Sequence, residues 1–176
     1  MTEIKNKLEI DTAFEKYNNA LDKIEERRLL WNSEIKSKII NYLSIIQKTY
    51  GLDWQVQRIE NLKNYQTINI SFNTTSSGIV EINDNDSDEK GWRKFVKYGG
   101  YLAYSQLYHG KISVFIGYPY IDEWVEQMEN KFINLYDPNE INEDLIENHV
   151  ITFLDDMAEW EGTFKVEIER NRVGYI

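Results

Sequence analysis

Cysteine is absent from this 176-residue chain, and with it go a disulfide framework, a thiolate zinc site and a cysteine nucleophile. Long apolar runs are missing too. Nothing approaches the roughly 20 apolar residues of a spanning helix, and the opening MTEIKNKLEI has no apolar core of signal-peptide length. A cytoplasmic protein is therefore expected. There is no His-Glu-x-x-His zinc pattern, no Ser nucleophile elbow and no phosphate-binding glycine loop. Histidine is limited to His109 and His149, the only side chains able to serve as neutral-pH bases or imidazole ligands.

What is present suffices for one core. With 41% hydrophobic and 14% aromatic residues, the chain can close a single α+β domain over 1–176 without metal or disulfide. Its net charge of −10 is unevenly spread: residues 1–50 hold nine Lys/Arg and eight Asp/Glu, residues 51–100 six and seven, and residues 101–176 five and fifteen. Such a surface repels phosphate backbones over about a Debye length, so no nucleic-acid partner is expected, and no membrane partner either. The acid excess reads as a solubilising face or as a docking face for a basic protein, including by imitation of nucleic acid.

Thr12 and Glu15 form a capping box that predicts a helix start. Apolar residues then recur at Phe14, Tyr17, Leu21, Ile24, Trp31, Ile35, Ile39, Tyr42 and Ile46, interrupted by Arg28, until Gly51 can take the C′ position. This is one long helix or two meeting near Asn32-Ser33. A single helix of that length would outrun the domain, and its stripe would need a sister chain, which predicts a homodimer. Period-two alternation predicts strands around Trp54–Gln57, Thr67–Phe72 and Ile79–Ile82, with a turn at Leu62-Lys63-Asn64.

The hairpin YLAYSQLYHGKISVFIGY, Tyr101 to Tyr118, is the most fully specified element. A two-residue turn at His109-Gly110 pairs Tyr108 with Lys111 and so Leu107 with Ile112, Ser105 with Val114 and Ala103 with Ile116 on an apolar face. The other face carries Tyr104, Gln106, Tyr108, Lys111 and Phe115. That face is either a second core layer under the N-terminal helix or an open aromatic surface of hot-spot composition, with Tyr104, Tyr108, Phe115 and Lys111 as candidate partner-binding residues.

Asp137-Pro138-Asn139-Glu140 supplies an N-cap, a proline at the first helical position and an N3 glutamate. The helix it predicts carries the stripe Ile141, Leu145, His149, Phe153 and Met157 and ends at Trp160 before Gly162. Trp124, Val125, Met128 and Phe132 suggest a short extra helix. Phe164, Val166 and Ile168 suggest a last strand. The fold expected is an antiparallel sheet of about five or six strands packed by a long N-terminal helix and an acidic C-terminal helix.

The hairpin YLAYSQLYHGKISVFIGYP followed by DPNEINEDLIENHVITFLDDMAEWEG resembles the type III secretion chaperone-like fold group, which holds CesT-type chaperones and YbjN-like proteins. The inserted Asp122 to Tyr136 and the segment after Gly162 depart from that pattern. The resemblance implies a small acidic dimer without catalytic residues that holds another protein through sheet and helix surfaces.

Asp84, Asp86 and Asp88 have the spacing with which a calcium loop offers its first oxygens, but Glu89 stands where that loop needs glycine and Phe95 where it needs glutamate. An acidic solvated loop is expected, against a weak cation site. His109 reads as a turn residue and His149 as a hydrogen-bonded core histidine. Asp155 and Asp156 are adjacent on a helix and point apart. The expectation is a non-catalytic protein-binding module, chaperone-like or regulatory, with no cofactor and no metal. The alternatives are an inhibitor or immunity-type protein blocking a basic surface, and a divalent-metal-dependent enzyme or calcium-responsive protein using the acidic loop.

Overall fold

A computed structural model of the chain describes residues 6–83 and 91–172. Residues 7–50 are helical, as α1 (Lys7–Leu30), a π-helical turn (Trp31–Ile35) and α2 (Lys36–Tyr50). Thr12 does not start α1. It lies inside the helix, where its hydroxyl donates back to the Leu8 carbonyl at 2.9 Å, the usual resort of an interior threonine. Asn32 and Ser33 likewise turn their side chains back to the carbonyls of Arg28 and Leu30, so that they mark the π turn and no break occurs. α2 ends at Gly51, with φ of +63°.

Eight strands follow among the described residues: β1 (Trp54–Ile59), β2 (Thr67–Phe72), β3 (Thr75–Asn83), β4 (Gly91–Tyr98), β5 (Tyr101–Gln106), β6 (Ile112–Gly117), β7 (Tyr120–Ile121) and β8 (Lys131–Tyr136). The protein is α+β, and its strands form two antiparallel sheets, a five-stranded one of order β1-β2-β5-β6-β8 and a three-stranded one of order β3-β4-β7. The sheets divide because Gly99 and Gly100 turn the chain between β4 and β5 against the Phe72 backbone and the Met157 side chain, where a Cβ would sit 2.3 Å from the Phe72 oxygen or the Met157 sulfur.

One face of the five-stranded sheet is the core. Ile68, Ile70, Leu102, Ile112, Val114 and Ile116 meet Ile35, Ile39 and Leu43 from the first helical segment and Ile146, Val150 and Phe153 from α3 (Glu143–Arg172). Each such side chain removed from water contributes roughly 1.5–3 kcal/mol. By contrast α1 has no fully buried residue: Phe14, Tyr17 and Leu21 stand exposed, Ile24, Arg27 and Leu30 are half-buried, and full burial begins at Trp31.

The hairpin register differs from the two-residue expectation. Leu107 and Lys111 close it, with the Leu107 N–H donating to the Lys111 carbonyl and the Gly110 N–H to the Leu107 carbonyl, both at 2.8 Å. Three residues, Tyr108-His109-Gly110, form the loop, and Gly110 takes φ of +80°. This is the three-residue connection with a left-handed final residue. Gln106 therefore pairs with Ile112, Tyr104 with Val114 and Leu102 with Ile116. β6 faces as expected, but β5 is turned over: Tyr104 and Gln106 point into the core and Ala103 and Ser105 out.

Three further expectations are corrected. Asp137 to Glu140 form a single 3-10 turn (Pro138–Glu140) with a capping box, and α3 begins only after Asn142, whose side chain accepts from the Leu145 N–H at 2.9 Å. The stretch Trp124 to Phe132 is no helix: Glu123 takes a positive φ, Val125 forms an isolated bridge to Ile121, and β8 follows as the edge strand. Gly162 ends nothing, because α3 runs through it and through residues 164–169, which are not a strand.

Gly110 answers two demands at once. Besides its left-handed φ, a Cβ there would sit 2.6 Å from the Arg27 Cβ and 3.0 Å from the Ile24 carbonyl oxygen on α1. Gly110→Ala is expected to destabilise the protein by about 2 kcal/mol, from backbone strain and displacement of α1 together. Urea unfolding of the variant against Gly51→Ala, where strain acts alone because nothing lies within 4 Å, should show the larger loss at position 110.

Candidate functional site

The inverted β5 places Tyr104 beneath α3, where its hydroxyl lies 3.1 Å from His149 Nδ1. Tyr136 at the end of β8 approaches Nε2 of the same ring, also at 3.1 Å. A neutral imidazole offers one N–H and one bare nitrogen, so one tyrosine accepts and the other donates. Tyr104 is fully buried and His149 is 3% exposed. Burial pushes the His149 pKa down to about 4, and burial, then the neighbouring Tyr136, pushes the Tyr104 hydroxyl up. His149 and Tyr104 are thus neutral through the physiological range, and the three hydrogen-bonded side chains act as a clasp between sheet and helix. Next to Tyr104 on the core face, fully buried Gln106 has neither amide atom hydrogen-bonded within the described residues.

The four candidate binding residues do not share a face. Tyr104 is in the core. Tyr108 is 73% exposed at the loop, its carbonyl accepting from Arg28 at 2.6 Å. Lys111 pairs with Asp137 at 3.3 Å, and Arg27 binds the same carboxylate. Burial works against the Asp137 charge, but the hydrogen bonds from Arg27 and Lys111 outweigh it and hold the pKa below its ordinary value. This cluster ties the end of α1 to the hairpin tip. Only Phe115 lies on the outer sheet face, and it is half-buried.

That face nevertheless carries an aromatic strip, with different members. By strand alternation, Tyr101, Ala103 and Ser105 of β5 and Ser113 and Phe115 of β6 point away from the helices. In β8, Phe132 stands opposite Phe115 and is 62% exposed, and Leu135 stands opposite Ser113. Tyr101 lays its ring over Gly117, where a Cβ would fall 2.1 Å from it. It also meets Phe115 edge-on, with centroids 6.2 Å apart. α2 lies over β1 and β2, and α3 over β5, all on the core side. Among the described residues β8 pairs on one side only, so it is an edge strand, although its Leu135 N–H already donates to the Asn134 side chain at 2.9 Å. The readable signal was the alternation in KFINLY, masked by a bulge between Val114 and Phe115 in the register.

The segment between β6 and β8 and the helix α3 also enclose a half-open cavity of about 410 Å³ lined by Tyr118, Val125, Met128, Asp156, Glu159 and Trp160. Its Asp156 already accepts from Lys131 at 2.8 and 2.9 Å and from Tyr118 at 3.1 Å, while adjacent Asp155 is exposed. His109 Nδ1 accepts from the Lys111 N–H at 3.3 Å within the loop. Asp84, Asp86 and Asp88 lie outside the described residues. Among the described residues no group of three or more His, Asp or Glu side chains could hold a metal ion, and no helix is long and apolar enough to cross a membrane. No protein-family model, curated protein or solved structure matches the chain.

The histidine clasp sets an acid limit. Because the folded pKa lies below the unfolded value of 6.5, the unfolded chain takes up a proton first as pH falls. His149 therefore costs stability progressively from about pH 6.5 down to pH 4, roughly 3 kcal/mol in all, and nothing above that range. His149→Gln, which keeps a donor and an acceptor for the two tyrosines, should flatten that part of the stability profile. Equal pH slopes for both proteins between pH 6.5 and 4 would contradict the assignment.

Proposed function

We propose that the protein is a non-catalytic protein-binding module, chaperone-like or regulatory, that works as a homodimer and takes its partner on the outer face of the five-stranded sheet beside the free edge of β8. One observation carries the reading: Phe132, 62% exposed, and half-buried Phe115 stand opposite each other at the β8 end of the sheet's outer face, beyond the buried Ala103 and Ser105 of β5. Exposed rings over small and polar neighbours are the composition of a binding hot spot. A free strand edge offers main-chain donors and acceptors to an extended segment, with the rings selecting its side chains.

Electrostatics supports a basic partner. Glu143, Asp144, Glu147, Asp155, Glu159 and Glu161 are exposed along α3, a single-sign row that raises the encounter rate with positive surfaces. The same row supports a second reading, an inhibitor or immunity-type protein. One tight stoichiometric basic partner would identify that role. Several extended or unfolded segments would identify the chaperone.

Phe132→Asp is the test. The side chain is mostly solvated, so the variant should melt within a degree or two of the native protein, while affinity for a co-purified partner falls about 30-fold, as for loss of a ~2 kcal/mol hot spot. Unchanged affinity, measured by titration calorimetry, would remove the sheet face from the reading.

A further inference from the structure

A second uncovered apolar line runs along α1, where Ile10, Phe14, Tyr17 and Leu21 follow one another by steps of four, three and four with exposures of 52%, 60%, 60% and 46%. Alternation of three and four is the spacing of a two-helix coiled-coil seam, narrower than the stripe of a helix that lies on a sheet. Ala13 and Ala20 border it. The helix α1, Lys7–Leu30, carries five basic and six acidic side chains, nearly balanced in a chain of net charge −10. A second copy can therefore meet α1 without the repulsion it would meet at α3.

We propose that α1 pairs with α1 of a second copy in an antiparallel seam, Ile10 opposite Leu21 of that copy and Phe14 opposite its Tyr17. This rests on the homodimer in the functional reading and adds its surface, direction and register. Direction follows from charge. Each folded body begins near Ile24 and Arg27, which pack on Gly110. A parallel pair would bring both acidic bodies to one end. The antiparallel register sets the two attachment points about 25 Å apart along the helices, well beyond the ~8 Å screening length at physiological salt. Register follows from the flanks: the proposed alignment puts Ala13 beside Ala20 of the other copy, so the axes approach closely, and Asp11 beside Asn18, so no like charges face each other.

The chain's lack of cysteine makes the direction readable. Ile10→Cys and Leu21→Cys proteins are mixed and joined with a short bifunctional maleimide. A product linking position 10 of one chain to position 21 of the other is expected to dominate. A majority of like-to-like products would overturn the seam and leave the homodimer standing. Sedimentation of the native protein at micromolar concentration should show a dimer; a monomer would overturn both, with partner binding at Phe132 still to be judged by its own variant. Phe14→Glu combined with Leu21→Glu should weaken the dimer about 100-fold or more while the near-ultraviolet aromatic spectrum keeps its native form. A native-strength dimer in that variant would place the contact elsewhere and overturn the proposal.

Discussion

The left-handed backbone of Gly110 decides which half of a strand is inside this protein. With φ of +80° at that residue the loop takes three residues, and Leu102, Tyr104 and Gln106 are carried to the core side of β5. A two-residue loop would have put Ala103 and Ser105 there, since a slip of one residue exchanges the faces of a strand. The core would then have lost a tyrosine's volume, and His149 one of its two hydroxyl partners. The same glycine admits the backbone of α1 at van der Waals distance, which lets Arg27 reach Asp137 and Arg28 reach the Tyr108 carbonyl. Hairpin register, the polar clasp and the seating of the first helix thus depend on one conformational choice.

Much of the architecture was legible where local chemistry and burial agree. The stripe from Trp31 to Ile46, the left-handed Gly51, the strands at Trp54 and Thr67 and the stripe of α3 all form where their patterns lie. The failures have a common cause. Where two local signals competed, the tertiary setting chose between them. Asp137-Pro138 is a sound helix start, but Asn142, also a good cap and followed by Glu143 and Asp144, takes that role for α3. Gly162 is a fair stop signal, overridden within a helix that continues on both sides. Trp124 to Phe132 has helical spacing over too few residues to outweigh the pairing that β6 offers β8. The aromatic sheet surface was foreseen in kind, with Phe115 its shared member, whereas Tyr101 and Phe132 were missed because strand facing follows register and Phe132 closes the Trp124–Phe132 stretch whose spacing is helical.

Two exposed surfaces among the described residues differ in character. The sheet face is small and polar with rings concentrated toward β8, and the α1 line is a narrow series of large apolar residues with charges of both signs around it. The acid excess belongs to neither; it runs along the outside of α3. In the proposed assembly the balanced surface holds like to like, and the ringed surface with the acidic helix beside it meets something foreign. The separation of the two matters, because partner loading at the sheet then leaves the contact between copies undisturbed.

The π turn at Trp31–Ile35 has a geometric effect reaching far beyond its five residues. Each residue of an α-helix advances the side-chain direction by about 100°, and a π turn accommodates one residue more than an α turn does. Removing one residue there would let the rod wind regularly, swinging the exposed line of α1 by roughly a quarter-turn around its axis while α2 stayed fixed on the sheet. The azimuth at which this arm presents itself is therefore written in one residue's worth of excess winding, a place where the arm can be re-aimed while α2 keeps its seat on the sheet.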